Sequence, residues 1–303
     1  MRETSGADAA DSQHSKTLLT GEGKLGKTVF TMASLLGLLP WQEEGAVVDK
    51  PSHLHIIGID YGAITGAKVT LKKLLNAPDE ALNFRYYSLQ DDYRSTFGRT
   101  KDWDYTFYNQ TIQALRAVEA NVAKAPGGVH ALLISSLTTL QAGLERGIAG
   151  APGGESGDKK GSGMDESKWQ AVYGQINEFR NYAQADKWHC LWEAHIDKSV
   201  PFGRDDGPVK ESLQIRGKAG RDFANNVEQI FRIKRNFGSQ YKNTRLDEMF
   251  LDTRPAMDFI AGGRGTTENL KAQEPDMTKA FRKLGLRVGG WKPGVAKKKR
   301  AEE

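Results

Sequence analysis

Gly21-Glu22-Gly23-Lys24-Leu25-Gly26-Lys27-Thr28 matches the pattern G-x-x-x-x-G-K-[ST] at every fixed position. A short apolar run, Lys16–Thr20 (KTLLT), leads into it. KTVFTMASLLGLL, with apolar residues at helical spacing up to Pro40, leads out of it. Strand, glycine loop and helix in that order are the context the pattern requires. Glycines let successive backbone N–H groups turn inward around a phosphate, and the helix N-terminus adds partial positive charge. Residues Gly21, Glu22, Gly23, Lys24, Leu25, Gly26, Lys27, Thr28 and Val29 therefore form a candidate nucleotide cradle. In it Lys27 is placed to reach the β- and γ-phosphates and the Thr28 hydroxyl to ligate Mg²⁺. The competing reading is a glycine turn before a helix whose lysine is simply solvated.

Outward from the loop, the chain alternates strand and helix signals. His55–Asp60 (HIIGID), Leu82–Leu89, Val129–Ile134 and Trp188–His195 read as buried strands. Helical patterns lie between them at GAKVTLKKLLNA, Asp102–Lys124 and Asp165–Asp186. Such alternation predicts an α/β fold, a mostly parallel sheet flanked by helices. Val227–Lys234, Arg245–Leu251 and Met257–Ile260 follow without clear helices between them and predict an antiparallel C-terminal extension. Residues 1–15 are small and polar and are expected to be disordered, 16–265 to form the core, and 266–303 a helical segment and basic tail. Gly147–Gly163 holds seven glycines and reads as a mobile loop. Lys198–Gly220 reads as a second long loop.

Composition narrows the class. The 303 residues include 38% hydrophobic residues and no apolar run that approaches a membrane span. One cysteine excludes a disulfide framework and a thiolate zinc site. The polar N-terminus lacks the apolar stretch of a secretory signal, so a cytoplasmic location is expected. The net charge of +5 conceals patches. Residues 210–221, 232–245 and 292–303 carry +3, +5 and +3, leaving −6 on the rest. An acidic body with basic patches is compatible with an anionic partner.

The carboxylates depart from the usual arrangement. P-loop NTPases carry an Asp at the end of a neighbouring apolar strand, near Mg²⁺. In Ala131–Leu140 (ALLISSLTTL) that position is Ser135, whose hydroxyl can hydrogen-bond a magnesium water but brings no charge. Asp60 is the other strand-end acid, a candidate for hydrolysis or merely a cap for the next helix. Glu193, inside WEAH, can point to either face of its strand.

These motifs in order (GEGKLGKT, HIIGIDYG, LLISSLTTL, LWEAHIDKS, QIRGKAGRDFANNVEQIFRIKR and LDTRPAMDFIAGGR) resemble the RecA-like P-loop ATPases. They are most similar to the phage single-strand annealing and recombination type, often described only as phage nucleotide-binding proteins. The resemblance runs from about Lys16 to Arg264. It implies a RecA-like P-loop NTPase fold, ATP and Mg²⁺ as cofactors, single-stranded DNA as partner and a homo-oligomer. If the protein is phage-encoded, its place is the bacterial host cytoplasm. It makes Lys27, Asp60 and His195 the catalytic candidates, His195 as the residue that senses the γ-phosphate. Thr28 and Ser135 become the metal candidates, and Arg264 a residue reaching a neighbouring subunit's nucleotide. It directs DNA to the two loops, the second carrying Lys198, Arg204, Lys210, Arg216 and Lys218, with Phe202 and Phe223 as the nearest stacking partners. The function expected is an ATP-binding, single-strand-dependent ATPase of recombination or replication. Two other readings stay open. One is a nucleotide-gated binding or scaffold protein with little hydrolysis, which Ser135 favours. The other is a P-loop enzyme acting on a small molecule.

Overall fold

The computed structural model describes residues 14–23, 25–39, 42, 48–49, 53–59, 62–89, 106–126, 128–149, 166–185, 187–199, 210–215, 218–235, 246–254, 262–263, 270–284, 286 and 290–291. Its centre is a ten-stranded sheet. In chain order the strands are β1 (Lys16–Gly21), β3 (His53–Gly58), β4 (Phe84–Ser88), β5 (His130–Ser135), β6 (His189–Ser199), β7 (Lys210–Leu213), β8 (Gln229–Arg235), β9 (Met249–Asp252), β10 (Gly262–Gly263) and β11 (Gln273–Glu274). A separate two-stranded ribbon pairs β2 (Val48–Asp49) with β12 (Gly290–Trp291). The helices are α1 (Lys27–Leu35), α2 (Ala63–Leu75), α3 (Thr106–Ala123), α4 (Leu137–Ala149), α5 (Glu166–Ala183), α6 (Lys218–Asn225) and α7 (Met277–Lys283).

The main sheet runs β11-β9-β8-β1-β6-β5-β3-β4, with β7 on β6 and β10 on β8. Every pairing from β4 through β3, β5, β6 and β1 to β8 is parallel. Parallel strands need crossovers that cover both faces, and successive core residues accordingly alternate between two hydrophobic layers. Leu18, Ile57, Leu132 and Trp192 pack with α3, α4, α5 and α6. Leu19, Ile56, Leu133 and Leu191 pack with α1, α2 and α7. In the first layer Trp192 is wedged edge-on between Phe179 and Phe223, at ring distances of 5.5 and 4.8 Å. A phosphate loop closing β1, in a mostly parallel sheet with helices on both sides and antiparallel strands at the C-terminal edge, is the architecture expected from the sequence.

Three details differ from the sequence reading. β8 is parallel to β1, so the antiparallel extension starts one strand later, at β9. Helix α6, too short to show a clear period in the sequence, provides the crossover that makes this possible. Helix α4 continues through Ala149, with Gly147 and Ile148 buried, so the first glycine-rich segment does not begin at Gly147. Leu137, Leu140, Leu144 and Ile148 keep a helical spacing on the core face, and that burial outweighs the cost of a glycine near the end. Lastly, Lys198–Gly220 is not one loop. β6 continues to Ser199 and returns antiparallel as β7, and α6 starts at Lys218.

The ends of the core are tied in. Ser15 is buried, its N–H donating to His189 Nδ1 and its hydroxyl to Gln229 Oε1. Asp276 caps α7 by accepting the Lys279 N–H at 2.8 Å, and Met277, Ala280 and Phe281 seat that helix in the α1 layer. Residues 1–13 and the tail from 292 onward lie outside the described residues.

Candidate functional site

The C-terminal ends of β1, β5 and β6 lie side by side, with Gly21 paired to His195 and Ser135 paired to Glu193. Side chains two apart on a strand share a face. Leu191 and Leu133 point into the layer that holds α1, so Glu193, His195 and Ser135 point the same way, toward the phosphate loop. Gly26 enters α1 at φ 90°, a left-handed conformation that costs other residues about 1–2 kcal/mol. Gly21 packs against the next strand so closely that a Cβ there would lie 3.0 Å from the Ile233 carbonyl oxygen.

Lys27 is 5% exposed, and its ammonium is folded back over the loop. Nζ donates to the carbonyls of Gly21 at 3.0 Å and Glu22 at 2.8 Å, and to His195 Nδ1 at 3.1 Å. A nitrogen that accepts from an ammonium carries no proton, so the neutral His195 ring has its N–H on Nε2. His195 is anchored through its main chain as well. Its N–H donates to Thr138 Oγ1, and its carbonyl accepts the Gln214 N–H just past β7. The loop, Lys27, His195 and the β6–β7 arm form one continuous set of contacts.

Glu193 is the site residue whose direction the sequence left open. It is 1% exposed, and its Oε2 accepts the Thr28 hydroxyl at 2.8 Å. Thr28 Oγ1 also lies 3.5 Å from Ser135 Oγ. Glu193 Oε1 is buried and accepts no hydrogen bond of good geometry. Burial pushes the carboxyl above the usual carboxylate range, while the hydroxyls of Ser135 and Thr28, the charge of Lys27 and the Thr31 hydroxyl pull it back. The period of two gave a signal for this: L-x-E-x-H from Leu191 to His195 carries one buried face out to the strand end. The phosphate-loop pattern implies Mg²⁺ here, and the donors suit it. Two hydroxyls and one carboxylate with an unused oxygen are hard oxygen ligands. Among the described residues no group of three or more His, Cys, Asp or Glu forms a separate metal cluster.

The other expected residues divide sharply. Glu22, Gly23, Leu25 and Val29 lie in or beside the loop, with Leu25 and Val29 packed on the α1 layer. Lys24, Asp60, Phe202, Arg204, Arg216 and Arg264 lie outside the described residues. Lys198 and Lys210 stand on the β6–β7 arm, Lys198 opposite Glu211 and Lys210 opposite Ser199, and Lys218 opens α6. Phe223 is 1% exposed against Trp192 and is not a surface for stacking bases. In the late basic patch Lys234 pairs with Asp252 at 2.5 Å and Arg235 with Glu248 at 2.9 Å, which offsets part of its charge. Among the described residues no helix is long and apolar enough to cross a membrane.

No protein-family profile and no curated protein matches the chain. Solved structures that resemble it distantly include two ATPases. One is a prototypical ATPase from the type III secretion system of pathogenic bacteria, with 11% identity over 73% of this chain and a TM-score of 0.43. This chain spans about half of that protein's length, 51%. The other is the ATPase domain of G40P, with 9% identity over 83% of this chain and 78% of that one, at a TM-score of 0.41.

Proposed function

We propose that the protein binds ATP with Mg²⁺ on Gly21–Thr28 and is a single-strand-dependent ATPase of the phage recombination or replication type. The observation that carries the nucleotide reading is the loop itself. Gly26 turns left-handed, Lys27 holds its ammonium over the loop carbonyls, and Thr28 faces the strand ends. An arriving phosphate offers Lys27 a charged acceptor, stronger than two carbonyls and a ring nitrogen. Thr28 and Ser135 would hold the metal, which would supply positive charge to offset that of the phosphates. Moving Lys27 onto phosphate releases His195 Nδ1, and His195 continues into the β6–β7 arm that carries Lys198 and Lys210. That route is the support for coupling the nucleotide state to DNA. A homo-oligomer with Arg264 reaching a neighbouring nucleotide belongs to the same proposal.

The rival is a nucleotide-gated binding protein with little hydrolysis, favoured by the uncharged Ser135 at the strand end. Phosphate release, measured with and without single-stranded DNA beside Lys27→Ala, separates them. The ATPase reading expects turnover that rises with DNA and vanishes in Lys27→Ala. ATP binding without turnover selects the rival, and absence of ATP binding removes both.

A further inference from the structure

The usual strand-end acid is missing at position 135, yet a carboxylate is present at the same level of the sheet. Ser135 and Glu193 are directly paired on neighbouring parallel strands, so their Cα atoms lie about 4.8 Å apart. Glutamate is one methylene longer than aspartate, and its reach spans part of that offset. The contact made is specific: Thr28, the phosphate-loop residue suited to a metal, donates its hydroxyl proton to Glu193 Oε2 at 2.8 Å. A hydroxyl that gives its proton away presents its lone pairs on the opposite side, the orientation a metal ligand needs. The second oxygen, Oε1, is buried and accepts no hydrogen bond of good geometry. An acceptor left without a hydrogen bond in the interior is destabilising. A cation arriving with the nucleotide would offset that destabilisation.

We infer that Glu193 supplies the magnesium-directed carboxylate of this site, displaced by one strand from Ser135, and that it positions the Thr28 hydroxyl for the ion. The inference rests on the nucleotide reading above and adds the residue that provides the negative charge. Ser135 then acts as a neutral hydroxyl beside the acid.

The test is the magnesium dependence of nucleotide binding, followed by fluorescence of mant-ATP titrated in Mg²⁺ and in EDTA, which needs no turnover. The quantity read is the ratio of the two dissociation constants. Wild type is expected to bind more tightly in Mg²⁺, and Glu193→Gln to lose about tenfold to a hundredfold of that ratio. Gln keeps the size and an oxygen that accepts from Thr28, so a purely structural role would leave the ratio intact. The double variant Ser135→Asp with Glu193→Thr returns the acid to the strand-end position and is expected to recover the ratio. It also keeps the question answerable if Glu193→Gln folds poorly. A wild-type ratio retained in Glu193→Gln, or not recovered in the double variant, overturns the inference while leaving nucleotide binding in place. No mant-ATP binding by wild type in either buffer overturns the nucleotide reading and this one with it.

Discussion

Gly26 and His55 show how single residues commit the molecule. At φ 90° Gly26 occupies the left-handed region, where a Cβ meets the following carbonyl. Gly26→Ala is therefore expected to lower stability by about 1–2 kcal/mol and to weaken nucleotide binding by reshaping the loop. Thermal unfolding and mant-ATP titration check the two effects. His55 lies far from the loop, near the start of β3. Its Nε2 donates to His130 Nδ1 at 3.3 Å, and His130 Nε2 donates to the Ala125 carbonyl at 2.9 Å. The remaining nitrogen, His55 Nδ1, is buried without an acceptor for a proton. Burial, then the charges of His130, His53 and Arg85, push His55 down to about 4. The unfolded chain binds that proton near pH 6.5, so folding stability is fully present above about 6.5 and is lost as pH falls toward 4. The expected loss is about 3 kcal/mol. Urea titrations between pH 7 and pH 4 should show a shallower slope for His55→Leu than for wild type. Equal slopes would remove His55 from the account.

At the scale of elements β6 does the most. Its even-numbered residues build the α5–α6 layer, its odd-numbered residues cross the α1 layer into the phosphate loop, and its far end pairs with β7. Trp192 is wholly buried between Phe179 and Phe223. Trp192→Ala is expected to cost about 3–5 kcal/mol, a large part of a typical 5–15 kcal/mol. A urea midpoint below wild type by the corresponding amount checks this. The strand was legible in WHCLWEAH because both faces are apolar over its middle. The arm beyond His195 was not, since IDKS is polar and its partner KESL lies past a segment rich in charge and glycine. Only cross-strand hydrogen bonds reveal that those residues are paired. Helix α6 was missed for a related reason: eight residues carry too few turns for a period to show.

The whole chain holds one cysteine, and the fold places it where nothing reaches it. Cys190 is fully buried in β6, and desolvation pushes its thiol up, well away from thiolate chemistry. A thiol reagent is expected to label native protein no faster than global opening and to label unfolded protein at once, one equivalent per chain. Rapid native labelling would contradict the packing around β6. By itself the sequence determined the phosphate loop, the alternation of strands and helices and the parallel core, because these are written in local spacing and in periods of two and 3.6. Only the tertiary structure decided which acid stands at the loop, that β8 joins the parallel sheet, and that Phe223 is core. Each of these depends on which strands become neighbours. Ser135 and Glu193 are distant in sequence and adjacent in the sheet, and a side chain's environment follows from its neighbours in space, which no local pattern records.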